Sequence, residues 1–280
     1  MAAKNVPSDY DGRIRRAERL AALHPFTREV LTFYKQIAEF QKDLYARMLS
    51  GSKGRGTDKN LPVLRQESLR QELKIEGLLP HFQDFLQLVA ANGPITLAES
   101  ARQLSTEPPE AWADIFQDYW ATSGRDDRPN AAFDQFLPRA FLQPYAEHLP
   151  ADRAEDESSA FPSLCPLCGA RPLLGVLRRE GDGGKRFLLC SFCLREWEFR
   201  RILCATCGEE TETKLPVYIA EQFPYIRVEA CQTCKFYLRT IDLTKDGNAV
   251  PLVDDLAAIP LSLWAEEHGY SRAQPNLLGT

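Results

Sequence analysis

The chain has 280 residues, of which 44% are hydrophobic and 26% charged, with a net charge of −5. That length buries a core without crosslinks, as one large domain or two ordinary ones. The acidic balance gives no general attraction to nucleic acid or to an anionic membrane, and no run approaches the roughly 18 apolar residues needed to span a bilayer. The opening stretch MAAKNVPSDYDGRIRRAERLAALH has no apolar segment behind Arg15-Arg16. It therefore reads as the start of a helix with those arginines on its solvated face, and not as an export signal. The expectation is a cytoplasmic protein with no membrane insertion.

Helical periodicity follows. In PFTREVLTFYKQIAEFQKDLYARML the apolar residues Val30, Phe33, Tyr34, Ile37, Phe40, Leu44 and Met48 recur at steps of three and four. GSKGRGTDKN (51–60) is a glycine- and charge-rich break. The pattern resumes in LRQESLRQELKIEGLLPHFQDFLQLVAANG, where Pro80 begins a new helix and Gly93-Pro94 ends it. PPEAWADIFQDYWATSG and NAAFDQFLPRAFLQPYAEHL add two more. Their aromatic stripe (Trp112, Phe116, Tyr119, Trp120, Phe133, Phe136, Phe141) reads as packing between helices in preference to a binding groove. These elements make a helical domain over 1–152.

The polar stretch PADRAEDESSAFPSL (150–164) is where a boundary falls. Beyond it the pattern changes to short strands: PLLGVLRRE, KRFLLC, EWEFRRIL, KLPVYIA, YIRVEA and FYLRTIDL, separated by turn signals such as GDGG, EQFP and KDGN. The tail DDLAAIPLSLWAEEHGY returns to helix over 252–270, with Leu256, Ile259, Leu263 and Trp264 on one face. The fold class is α+β: a helical domain, then a small β-rich domain over 153–280 ending in a helix.

All eight cysteines fall into four Cys-x-x-Cys pairs: Cys165/Cys168, Cys190/Cys193, Cys204/Cys207 and Cys231/Cys234, with 21, 10 and 23 residues between successive pairs. A Cys-x-x-Cys turn aims two sulfurs at one point and supplies half of a tetrahedral site, and a β-hairpin brings back the other half. The two longer intervals each hold two strands and a turn, so the β domain reads as two tandem zinc-ribbon or rubredoxin-like four-cysteine modules, over 161–200 and 201–245. Pairing first with second and third with fourth follows from that layout; a crossed arrangement, first with third and second with fourth, uses the same ligands. Gly169 and Gly208, one step after a second cysteine, let the turn present its amide groups to sulfur. In a reducing cytosol such pairs are metal ligands before they are disulfides, and thioredoxin-type redox chemistry needs a single pair at a helix start. Four thiolates select zinc or iron and leave no open position for substrate.

Other candidates weaken on inspection. His24, His81, His148 and His268 lie far from the cysteine pairs. Asp254-Asp255 stand at a helix amino terminus, where capping explains them better than acid–base work. REGDGGKR is followed by a strand, which favours a hairpin turn over a phosphate loop. Residues 161–240 carry twelve basic and nine acidic side chains. Eight thiolates on two divalent metals bring the balance to about −1, where a phosphate-tracking surface should be clearly basic. No catalytic constellation stands out, and the chain reads as a non-enzyme.

The array CPLCG…CSFC…CATCG…CQTC, together with the tail VDDLAAIPLSLWAEEHGY, closely resembles the FdhE family of formate dehydrogenase accessory proteins. The resemblance implies a cytoplasmic factor needed to produce active respiratory formate dehydrogenase. It also implies binding to the catalytic subunit before export by the twin-arginine pathway, and rubredoxin-type iron on the eight cysteines, with zinc as the alternative. A zinc-ribbon nucleic-acid-binding protein and a rubredoxin-like electron carrier are the rival functions.

Overall fold

A computed structural model describes residues 9–52, 77–122, 135–148, 162–181 and 183–279. The polar stretch at 150–161, most of the break at 51–60, the segment from Leu64 to Glu76 and Phe133 lie outside the described residues. Helix α1 spans Tyr10–Leu23 and is capped by Asp9, whose carboxylate accepts from the Gly12 amide at 2.7 Å. Helix α2 runs Arg28–Ser52, and its three-and-four spacing buries Leu31, Phe33, Tyr34, Ile37 and Leu44. Helix α3 is Leu79–Asn92, with Pro80 in its first turn where no amide partner is lost. It is followed by α4 (Ile95–Leu104), α5 (Pro109–Thr122) and α6 (Phe136–His148).

The aromatic stripe is core. Phe82 lies edge-on to Trp112, Phe116 and Phe141, with ring centroids 5.5, 4.6 and 4.9 Å away. Such pairs add to the area that each ring buries. Trp112, Phe116, Tyr119, Trp120, Phe136 and Phe141 are all buried.

The strands among the described residues are β1 (Pro172–Glu180), β2 (Gly183–Cys190), β3 (Glu196–Glu198), β4 (Val217–Ile219), β5 (Ile226–Ala230), β6 (Phe236–Asp242) and β7 (Ser271–Arg272). They form one seven-stranded sheet in the order β3-β2-β1-β6-β5-β4, with β7 also on β6. Each ribbon is an antiparallel hairpin. In the first, Glu180 and Gly183 of REGDGGKR face each other across the pair. The hairpins fuse through a parallel seam in which Gly175, Val176 and Leu177 face Thr240, Ile241 and Asp242.

The seam depends on Gly175. A Cβ there would meet the Thr240 hydroxyl oxygen at 2.2 Å. Gly175→Ala is therefore expected to lower stability by about 1–3 kcal/mol, measured as a shift of the denaturation midpoint. Adding Thr240→Ala, which removes that oxygen, should recover part of the loss.

The tail forms two helices, α7 (Pro251–Ala257) and α8 (Ile259–Glu267), with Pro260 in the first turn of α8. The break at Ala258 rotates the second helix. Leu256 is fully buried, whereas Leu263 is 56% exposed, so the expected single apolar face does not include Leu263.

Asp254 and Asp255 are buried in ion pairs. Val250 precedes the helix and no side chain caps it; Asp254, inside the first turn, accepts from the Val250 amide at 2.7 Å. It also takes Arg16 of α1 and the Tyr225 hydroxyl, at 2.9 and 2.8 Å. Asp255 lies 2.8 Å from Arg239 and 2.7 Å from Arg272. Burial pushes the Asp255 carboxyl up from its ordinary range, and Arg239 draws it back. Arg16 is thus 6% exposed and paired, while Arg15 is exposed; only the second of these fits a solvated helix face. One continuous apolar cluster runs from the helices into the sheet.

Candidate metal centres

Each cysteine pair lies on the same tight turn. The amide of the first cysteine donates to the carbonyl five residues on, at 2.9 Å in all four: Cys165 to Ala170, Cys190 to Arg195, Cys204 to Glu209 and Cys231 to Phe236. The residue after the second cysteine is left-handed every time: Gly169 at φ 72°, Leu194 at 53°, Gly208 at 76° and Lys235 at 62°. Glycine enters this conformation freely, and other residues do so at a cost. The two glycines were legible in the sequence. Leu194 and Lys235 carry no such mark by residue type, although counting one step past each second cysteine finds them. At Gly208 a Cβ meets nothing within 4 Å, so Gly208→Ala tests the backbone alone. It is expected to cost about 1 kcal/mol, read by thermal denaturation.

The turns aim amides at sulfur. Phe192 and Cys193 donate to the Cys190 sulfur at 3.3 and 3.4 Å, and Thr206 donates to Cys204 at 3.4 Å. Such bonds stabilise thiolate over thiol.

The hairpins gather first pair with second and third with fourth. Within each group of four, the sulfurs all lie within 4.8 Å of one another. In the first group, Cys165–Cys193, Cys168–Cys190 and Cys168–Cys193 are 3.6, 3.4 and 3.6 Å apart. In the second, Cys204–Cys234 and Cys207–Cys231 are 3.8 and 3.7 Å apart. A tetrahedron with metal–sulfur bonds of about 2.3 Å has edges of about 3.8 Å, so the spacing fits one ion per group and is far from the roughly 2 Å of a disulfide. None of the eight cysteines is joined in a disulfide. The four histidines stand outside both groups. Two such groups can each enclose a metal ion with a complete sulfur shell.

Their settings differ. The first group is buried throughout. Phe192, between its second pair of sulfurs, lies edge-on to Tyr119 and Trp120 of α5 at 5.5 and 4.9 Å. Arg139 of α6 donates to the Ser191 carbonyl in the same turn at 3.3 Å. In the second group Cys207 is exposed and only Cys231 is buried. Its two turns are tied at the surface by Glu209, which accepts from the Thr233 hydroxyl at 2.6 Å and the Thr211 amide at 3.0 Å. Those hydrogen bonds hold the Glu209 carboxyl down at about 2. Neither the Phe192 contact nor the Glu209 tie carries a sequence signal of its own.

Several basic side chains of the β region are held in ion pairs, although Arg179 is exposed. Arg178 pairs with Glu196 at 2.7 Å, Lys185 with Glu198 at 2.7 Å and Arg200 with Glu210 at 2.7 Å, and Arg186 pairs with Glu229. A surface that tracks phosphates needs these cations free. No helix among the described residues is long and apolar enough to cross a membrane.

The family model described as FdhE, central domain, matches residues 164–201, and the model of the FdhE C-terminal domain matches 202–278. The FdhE homolog of Aquifex aeolicus is 27% identical over 260 residues, covering 91% of this chain and 90% of its own length. That of Stutzerimonas stutzeri is 34% identical over 223 residues, covering 78% and 70%. The crystal structure of the FdhE protein from Pseudomonas aeruginosa superposes with a TM-score of 0.71 at 25% identity, covering 100% of this chain and 99% of the other. With most of its length matched in these proteins, at 34% identity in one of them, the chain belongs to the FdhE family.

Proposed function

We propose that this protein is a cytoplasmic accessory factor that binds the catalytic subunit of a respiratory formate dehydrogenase before its twin-arginine export. In this reading it performs no catalysis itself. Each four-cysteine group holds one ion, with Cys165, Cys168, Cys190 and Cys193 around the first and Cys204, Cys207, Cys231 and Cys234 around the second. Iron of the rubredoxin type is the favoured metal and zinc the alternative. The observation that carries the reading is the pair of closed sulfur shells at ligand spacing, in a chain of the FdhE family. A complete four-sulfur shell leaves no position for substrate or activated water, so the metal serves structure or redox poise and not hydrolysis. We place the helical part at 1–152 and the metal part at 153–280, with the client held by surfaces of both.

Deletion and complementation test this. A strain lacking the factor should lose formate oxidation with transcription of the subunit unchanged, and the intact gene should restore it. Normal formate dehydrogenase activity in the deletion strain would refute the proposal. Zinc-loaded protein that binds the subunit and restores activity would assign the metal a structural role. Binding without restoration would assign a redox one.

A further inference from the structure

The two four-cysteine groups share one turn geometry but not one environment. In the first, the largest exposure is 4%, at Cys168. Its sulfurs lie behind Phe192, Tyr119 and Trp120, and Arg139, 5% exposed, crosses from α6 to the Ser191 carbonyl. A competing ligand reaches this ion only after α5 and α6 leave the sheet. In the second group Cys207 is exposed, and Cys204 and Cys234 are half-buried. A cavity of about 350 Å³ has Cys204 and Cys231 in its wall beside Ile202, Val217 and Phe236. These three apolar side chains are 45%, 51% and 36% exposed. The second ion can thus be approached past Cys207 and from the cavity.

We infer that the second group is an exchange site and the first a structural one, an assignment that rests on the reading that both hold metal. An outside thiolate, or another soft sulfur or nitrogen donor, adds to the second ion as the Cys207 sulfur leaves. One metal–donor bond would form and the Cys207 metal–sulfur bond would break, no electrons would change hands, and the departing thiolate would take a proton from water. The first ion exchanges only through opening of the packed layer above it, so its rate is limited by local unfolding.

The full-length protein loaded with two equivalents of zinc is mixed with excess pyridylazoresorcinol. Free metal is followed by absorbance and helix by circular dichroism. One equivalent should appear rapidly with the helical signal intact. The other should appear at least about a hundredfold more slowly, in step with loss of helix. Cys207→Ser should abolish the rapid equivalent and keep the slow one. Should that variant fail to fold, alkylation of wild-type protein after the rapid phase gives the same answer. Label should fall on Cys204, Cys207, Cys231 and Cys234, and label on Cys165, Cys168, Cys190 and Cys193 would overturn the assignment. Release of both equivalents in one phase, or a rapid equivalent surviving in Cys207→Ser, would overturn it too, while leaving metal binding in place. A protein that takes up no metal under anaerobic loading would refute the underlying reading as well.

Discussion

Replacing Asp254 with alanine is expected to destabilise the protein by about 3–5 kcal/mol, the scale for stranding one charge of a buried pair. Asp254 is fully buried and Arg16 is 6% exposed, with the guanidinium spanning both carboxylate oxygens at 3.1 and 2.9 Å. The Tyr225 hydroxyl and the Val250 amide complete the carboxylate's partners. Removing it leaves a guanidinium inside the protein facing Asp246, 2.9 Å away and partly exposed, and the neutral Tyr225 hydroxyl at 3.3 Å. The pair also joins α1 to α7, so its loss should loosen the first helix from the tail. Urea denaturation gives the measurement, and a midpoint unchanged within experimental error would contradict it. Replacing both partners with apolar residues, Arg16→Met with Asp254→Leu, should recover most of the loss, because desolvation of two charges is then avoided.

Cys190→Ser is expected to have the larger consequence. Cys190 is fully buried, 3.4 Å from Cys168, and its sulfur accepts two turn amides. Structural sites of this kind bind metal with about 10–16 kcal/mol, and that binding energy is folding energy. Whole-domain stability is only about 5–15 kcal/mol. The variant should lose one metal equivalent and the cooperative transition of the sheet. Because Phe192 beside the site packs on Tyr119 and Trp120, the loosening should reach α5 as well. A variant that retains two equivalents and melts like the wild type would show that this sulfur is not a ligand.

Local patterns were legible where one element fixes its own burial. The steps of three and four from Phe33 to Met48 and the aromatic stripe of α5 and α6 marked core because a helix face repeats on that period, while Val30 lies outside the buried cluster. The hairpins were legible because turn residues and cysteine spacing are both local. What escaped was decided by distant partners. Arg16 sits in an ordinary charged stretch and finds Asp254 at a separation of 238 residues. The parallel seam of β1 and β6 turns two tandem ribbons into one sheet, and its one local trace is Gly175, which a strand pattern does not explain. Along the tail, period counting carried the apolar face through Pro260, where the backbone turns and leaves Leu263 outside. The different exposure of the two four-cysteine groups has no sequence counterpart either, because identical turns are set against different neighbours.

The proposed binding of a formate dehydrogenase catalytic subunit by a chain carrying two metal ions can be decided by one anaerobic affinity purification from cytosolic extract of cells making that enzyme. The retained proteins are identified by mass spectrometry, and the metal content of the same sample is determined. Two equivalents of metal per chain are expected, with the catalytic subunit among the retained proteins. A chain recovered with disulfides and no metal, or with both ions bound and the subunit left in the flow-through, would contradict the proposal.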